Sequence, residues 1–118
     1  MAALSAAFAA GAARRSARYE VAGRSMLPTL REGDWLLVDK RAYGRTAPRA
    51  GDIIVALDPR DATRPIIKRV SRLSEDGALS LLGDNPGSST DSRHFGLVPA
   101  ALVRGRVCLR YWPRPRLF

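Results

Sequence analysis

The sequence predicts an all-β domain, a compact twisted barrel or sheet with short helical turns, and three observations carry that prediction. Short apolar runs recur along the chain, most of them bounded by Gly, Pro or Asp. No segment sustains a helical period. The length, 118 residues, suits one domain with its own core.

The elements follow in order. Tyr19–Ala22, Trp35–Asp39, Ile53–Leu57, Ile66–Leu73, Ala78–Leu82 and Val103–Tyr111 are predicted strands, rich in the aliphatic and aromatic residues that suit a pleated, half-buried surface. Glu32-Gly33-Asp34, Ala50-Gly51-Asp52, Asp76-Gly77 and the run from Gly83 to Gly87 supply turns. Met26–Leu30 and Pro99–Leu102 each suit a single helical turn. Pro113 and Pro115 lack the N–H that a ladder needs, so the C-terminal run is predicted to leave the sheet. The expected organisation is a flexible Ala/Arg-rich tail over 1–17, a domain over 18–112 and a C-terminal tail over 113–118.

Composition excludes several functions. One cysteine, Cys108, and one histidine, His94, leave no intrachain disulfide and argue against an all-protein zinc site. No metal or other cofactor is expected. The net charge of +9 comes almost wholly from arginine, since only two of the twenty basic residues, Lys40 and Lys68, are lysines. Such a field suits nucleic acid, an anionic membrane or an acidic polypeptide, but the arginines are scattered and name no partner. The alanine-rich stretch Ala2–Ala13 is shorter than the ~20 apolar residues that a membrane-spanning helix needs. A soluble, cytoplasmic protein is therefore expected, with peripheral membrane association through the tail as the alternative.

Three segments are candidates for chemistry, and each has a plainer reading. Lys68 shares a strand face with the apolar Ile66 and Val70. Burial there would lower its pKa and make it a base, which arginine cannot be; a sheet-edge lysine with a packed stem is the other reading. Ser25 lies between a predicted strand and a Pro-containing turn, where a hydroxyl and free N–H groups could face a substrate, or simply cap a turn. The loop from Gly83 to Arg93 is dense in hydroxyls and acids; on an exposed surface, pairing of Asp91 with Arg93 would contribute at most about 1 kcal/mol. A triad through His94 would leave Lys68 without a role.

Taken together, these segments resemble the signal peptidase I family of Ser–Lys proteases. Ser25-Met26-Leu27-Pro28-Thr29-Leu30 is similar to its nucleophile box, and Gly33-Asp34 with Gly51-Asp52-Ile53-Ile54-Val55 to its Gly-Asp strand boxes. Ile67-Lys68-Arg69-Val70 is similar to the box of its lysine base, and Gly83-Asp84-Asn85 with Ser89, Asp91, Ser92 and Arg93 to its last box. The resemblance covers about Val21 to Val98 and implies the catalytic core of that family. It implies that Ser25 is acylated, that Lys68 is the base and that Ser89 orients its amine. Asp91 and Arg93 would be a structural pair, and Met26, Leu30, Ile66 and Ile67 would line a shallow substrate pocket. Some members carry a serine oxyanion donor two positions before the nucleophile; Gly23 stands there in this chain.

Gly83 follows Lys68 by only 15 positions, which leaves no room for a large insertion. The chain thus looks like the short branch of the family that removes a leader from the nickel superoxide dismutase precursor. That makes a precursor polypeptide the expected substrate, with general processing of secretory precursors as the alternative. A self-cleaving repressor-type protein would need a domain or cleavable linker upstream, and fewer than twenty-five residues precede Ser25. A nucleic-acid-binding barrel would need aromatics gathered on one strand face. The eight aromatic residues are scattered, so no nucleic-acid partner is expected.

Overall fold

The computed structural model describes residues 15–118. In chain order its elements are β1 (Ser16–Glu20), β2 (Trp35–Asp39), β3 (Ile53–Asp58), β4 (Asp61–Leu73), β5 (Leu79–Leu82), α1 (Ser92–Phe95), β6 (Val103–Trp112) and β7 (Arg116–Leu117). Single 3-10 turns cover Pro86–Ser88 and Ala100–Leu102. The strands form one antiparallel sheet in the order β1-β2-β6-β3-β4-β5, with β7 added to β6. The predicted all-β class is the observed one.

The central strand β3 explains how one sheet makes two cores. Neighbouring side chains on a strand point to opposite faces, and Ile53 to Ala56 are buried on both. Ile53 and Val55 join Val21, Met26, Leu30, Leu36, Val38 and Val107. Ile54 and Ala56 join Ile66, Val70, Leu79, Leu81 and Val98. A strand covered on both faces needs a continuous apolar run, and Ile-Ile-Val-Ala is that run.

The structure moves several predicted boundaries. β1 begins at Ser16, inside the segment expected to be a tail, because the ladder continues through a bond from Lys40 N–H to the Arg15 carbonyl. An exposed edge strand needs no apolar alternation, so Ser16-Ala17-Arg18 gives no pattern. The expectation of a tail over residues 1–14 lies outside the described residues. β4 starts at Asp61, five residues before the predicted Ile66, since its exposed first stretch is held by backbone pairing with β3 alone. The C-terminal run does not leave the sheet. Pro113 and Pro115 fall before β7, and Arg116 and Leu117 supply the backbone groups that pair with Arg110 and Leu109.

Candidate active site

Ser25 sits on the connection between β1 and β2. Bonds from Val21 N–H to the Asp34 carbonyl (2.8 Å) and from Gly33 N–H to the Val21 carbonyl (2.9 Å) close its base. Within it, Leu30 N–H donates to the Met26 carbonyl (2.9 Å), and both side chains are buried in the first core. Burying each contributes about 1.5–3 kcal/mol, while fixing the backbone costs ~1–2 kcal/mol per residue. Packing alone therefore orders only part of the loop. The rest is tied to the β5–α1 connection: Asn85 N–H donates to the Ser25 carbonyl (2.8 Å), Asn85 Nδ2 to the Arg24 carbonyl (3.0 Å) and Thr29 Oγ1 to Asp84 Oδ2 (2.5 Å). Asp84 is itself gripped by Arg69 through two 2.8 Å bonds, and this pairing holds its carboxyl below the usual carboxylate range. The Ser25 N–H has no hydrogen-bond partner among the described residues, so it is free to donate.

Lys68 lies on β4 opposite Ile54, on the face it shares with Ile66 and Val70. It is 5% exposed, which excludes the sheet-edge reading of an amine in water. Burial pushes its pKa down from the ordinary 10.5; the Asp91 charge works against this, and the Arg64 and Arg93 charges assist it. Its Nζ donates to Ser89 Oγ (3.1 Å), and Ser89 Oγ donates to Asp91 Oδ2 (2.9 Å).

Asp91 is wholly buried, so the pair it makes with Arg93 is not the weak surface contact that the loop composition suggested. Burial alone would raise its pKa. Arg93 at 2.9 and 2.7 Å, Gly83 N–H at 2.9 Å and Ser89 outweigh this and hold the carboxyl well below its usual range. Asp91 also caps α1, accepting from Arg93 N–H (3.2 Å), while its own N–H donates to His94 Nδ1 (3.3 Å). His94 is thus committed to a capping box and does not line the Ser25 cavity, so a triad through it does not form. The helix itself was not predicted, because a histidine at this position is not the usual Glu or Gln of such a box.

Ser25 and Lys68 line one cavity of about 230 Å³, with the 19–22 segment on one side and the 64–68 segment on the other. The two side chains make no direct hydrogen bond; such bonds often tighten only with a substrate in place. Met26, Ile66 and Ile67 also line the cavity. Leu30 does not: its side chain is fully buried in the first core, where the Met26–Leu30 turn directs it. Arg64, at the lip, was missed, since nothing in an exposed arginine marks it as a neighbour of Lys68. Roles for Arg69 and Asp84 were missed too, because periodicity along one strand says nothing about a loop that meets another far away in sequence. Among the described residues, no group of three or more His, Cys, Asp or Glu is placed to hold a metal ion.

Comparison with known proteins bears on this geometry. A family model described as signal peptidase, peptidase S26, matches residues 1–76 and 71–112. Mitochondrial inner membrane protease subunit 1 of Xenopus tropicalis is 42% identical, over 77% of this chain and 66% of that protein. Mitochondrial ATP-independent inner membrane protease subunit 1a of Arabidopsis thaliana is 36% identical, over 79% of this chain and 68% of that protein. Signal peptidase I of Bacillus caldolyticus is 32% identical, over 80% of this chain and 79% of that protein. The chain therefore spans about two thirds of the length of the inner membrane protease relatives.

Proposed function

The chain belongs to the signal peptidase family, peptidase S26, and from that premise we propose that it is an endopeptidase in which Ser25 is the nucleophile and Lys68 the general base. The observation that carries the reading is the buried lysine, its pKa lowered, lining the same cavity as a serine on a pinned loop. Neutral Lys68 takes the hydroxyl proton as Ser25 Oγ bonds to a peptide carbonyl carbon. The negative charge that develops on the carbonyl oxygen faces the free Ser25 N–H. The intermediate collapses with cleavage of the C–N bond, and Lys68 returns the proton to the leaving amine. Water, deprotonated by Lys68, then releases the acyl group and regenerates Ser25. Ser89 orients the amine, and Asp91 with Arg93 fixes Ser89.

The substrate is a precursor polypeptide that lies extended between the 19–22 and 64–68 segments, its small side chain before the cut against Met26, Ile66 and Ile67. The names carried by the relatives, inner membrane protease and signal peptidase I, favour general processing of precursors over the narrower reading of a nickel superoxide dismutase precursor. They also favour work at a membrane surface. No helix among the described residues is long and apolar enough to cross a bilayer.

Incubation of the chain with a secretory precursor and a nickel superoxide dismutase precursor, followed by mass analysis of the new N-termini, tests the reading. Cleavage of the secretory precursor is expected. Ser25→Ala and Lys68→Arg should each abolish it with the fold intact, because arginine keeps its proton. An active Lys68→Arg enzyme refutes the base assignment.

A further inference from the structure

A second concavity, about 810 Å³, shares no lining residue with the Ser25 cavity. The two lie at opposite ends of β2: the Ser25 loop enters that strand at Trp35, and this basin opens where the chain leaves it at Lys40. Five of its wall residues are cationic, Arg15, Lys40, Arg41, Arg45 and Arg104, and no carboxylate lines it.

The carboxylate beneath it, Asp39, is already engaged. It accepts from Arg41 N–H (2.9 Å) and pairs with Arg15 Nε at 3.6 Å. The Arg104 guanidinium is anchored through Nη1 to the Ala101 and Val103 carbonyls (2.9 and 3.3 Å). Tyr43 forms part of the wall, its hydroxyl committed to Asp52 (2.6 Å). Among the described residues, the side chains of Lys40, Arg41 and Arg45 have no ionic partner. Gly105 also lines the basin, and a Cβ there would sit 2.5 Å from the Asp39 carbonyl oxygen.

Five cations around one hollow repel each other, and no carboxylate among the described residues pairs with the three free ones. A bound anion would. Guanidinium forks match the oxygens of a phosphate two at a time, whereas a lysine adds a point charge. We propose that this basin binds a phosphate-bearing anion, held chiefly by Arg41, Arg45 and Arg104. The phosphate belongs to a lipid headgroup or to a soluble phosphate compound, and the two sources separate by experiment.

The full chain is titrated with pyrophosphate by calorimetry and, separately, sedimented with vesicles of phosphatidylglycerol in phosphatidylcholine. Binding is expected in at least one arm: vesicles alone identify a headgroup, and pyrophosphate identifies a soluble ligand. Arg41→Glu/Arg45→Glu should weaken it by at least about tenfold, while Arg72→Glu/Arg114→Glu, an equal charge change elsewhere, should change it less than about twofold. Where both arms bind, pyrophosphate should also displace the unaltered chain from vesicles, a readout that needs no variant. No binding in either arm, equal loss in both double variants, or citrate binding as tightly as pyrophosphate would overturn the proposal.

Discussion

Replacing Gly83 with alanine tests whether the Ser25 loop and Ser89, which accepts from Lys68, share one fixed geometry. A Cβ on Gly83 would lie 2.1 Å from Ser89 Oγ, 2.6 Å from Ser89 Cβ and 2.6 Å from the Ser25 carbonyl oxygen. Rotation of the hydroxyl relieves the first contact only. The other two involve a Cβ and a backbone carbonyl, and reaching an ordinary 3.4 Å contact needs a shift of 0.8 Å (3.4 − 2.6). Both groups are held: the Ser25 carbonyl accepts from Asn85 N–H, and Ser89 bridges Lys68 and Asp91. Overpacking of this kind costs about 1–3 kcal/mol of stability. A displacement near 1 Å at a reacting group costs on the order of 10²-fold in rate. Thermal melts and kcat/KM on a leader-bearing peptide should therefore both fall, with the loss mainly in kcat. Gly87→Ala is the control in the same loop, since its added Cβ would meet nothing nearer than 4.0 Å. A Gly83→Ala enzyme with unaltered rate and melting temperature would refute the reasoning.

Other outcomes follow from the charges around Lys68. Because the base must be neutral, kcat/KM should rise with pH along a limb set below the ordinary lysine value of 10.5, and a limb at or above that value contradicts the burial argument. Arg64→Ala removes a charge that lowers the Lys68 pKa, so the limb should move to higher pH. At a fixed pH on that limb, kcat/KM should fall about tenfold for every pH unit the limb moves. The depressed pKa of Asp91 contributes stability that is present above its ordinary 3.8 and lost as pH falls through the folded value. Urea unfolding at pH 7 and pH 3 should thus show Asp91→Asn less stable than the unaltered chain at pH 7, with the gap narrowing at pH 3.

The strands were legible because their apolar runs are bounded by turn residues, and the apolar setting of Lys68 was legible because it sits at period two from Ile66 and Val70. The first residues of β1 and the whole of β7 were not, for a physical reason. Edge strands such as Ser16–Glu20 and Arg116–Leu117 are held by backbone bonds rather than by side-chain burial, so their sequences need not alternate. Pro113 and Pro115 mark the turn before β7, not the end of the ladder. Leu30 shows the opposite failure. Its place in a motif is clear, but whether an apolar side chain faces a cavity or the core depends on which way a turn points it, and adjacent positions of one loop differ in this.

In the proposed mechanism, why a carboxylate supports a base that must be uncharged is less obvious, since the Asp91 charge raises the Lys68 pKa. An ionised carboxylate only accepts hydrogen bonds. The single proton of Ser89 must therefore go to Asp91, and the Ser89 oxygen is left to accept from Lys68. A neutral amide at position 91 could present an N–H instead and reverse the chain of bonds. With the polarity fixed, the lysine N–H is spent on Ser89, and the lone pair of the neutral amine is turned away from it. Arg93, paired with Asp91 at 2.7 Å, offsets the electrostatic cost by opposing the charge that would reprotonate the lysine. Asp91 sets direction, and Arg64 and Arg93 oppose its charge at the lysine. Burial is then left as the leading influence on the Lys68 pKa, which is the condition a lysine base requires.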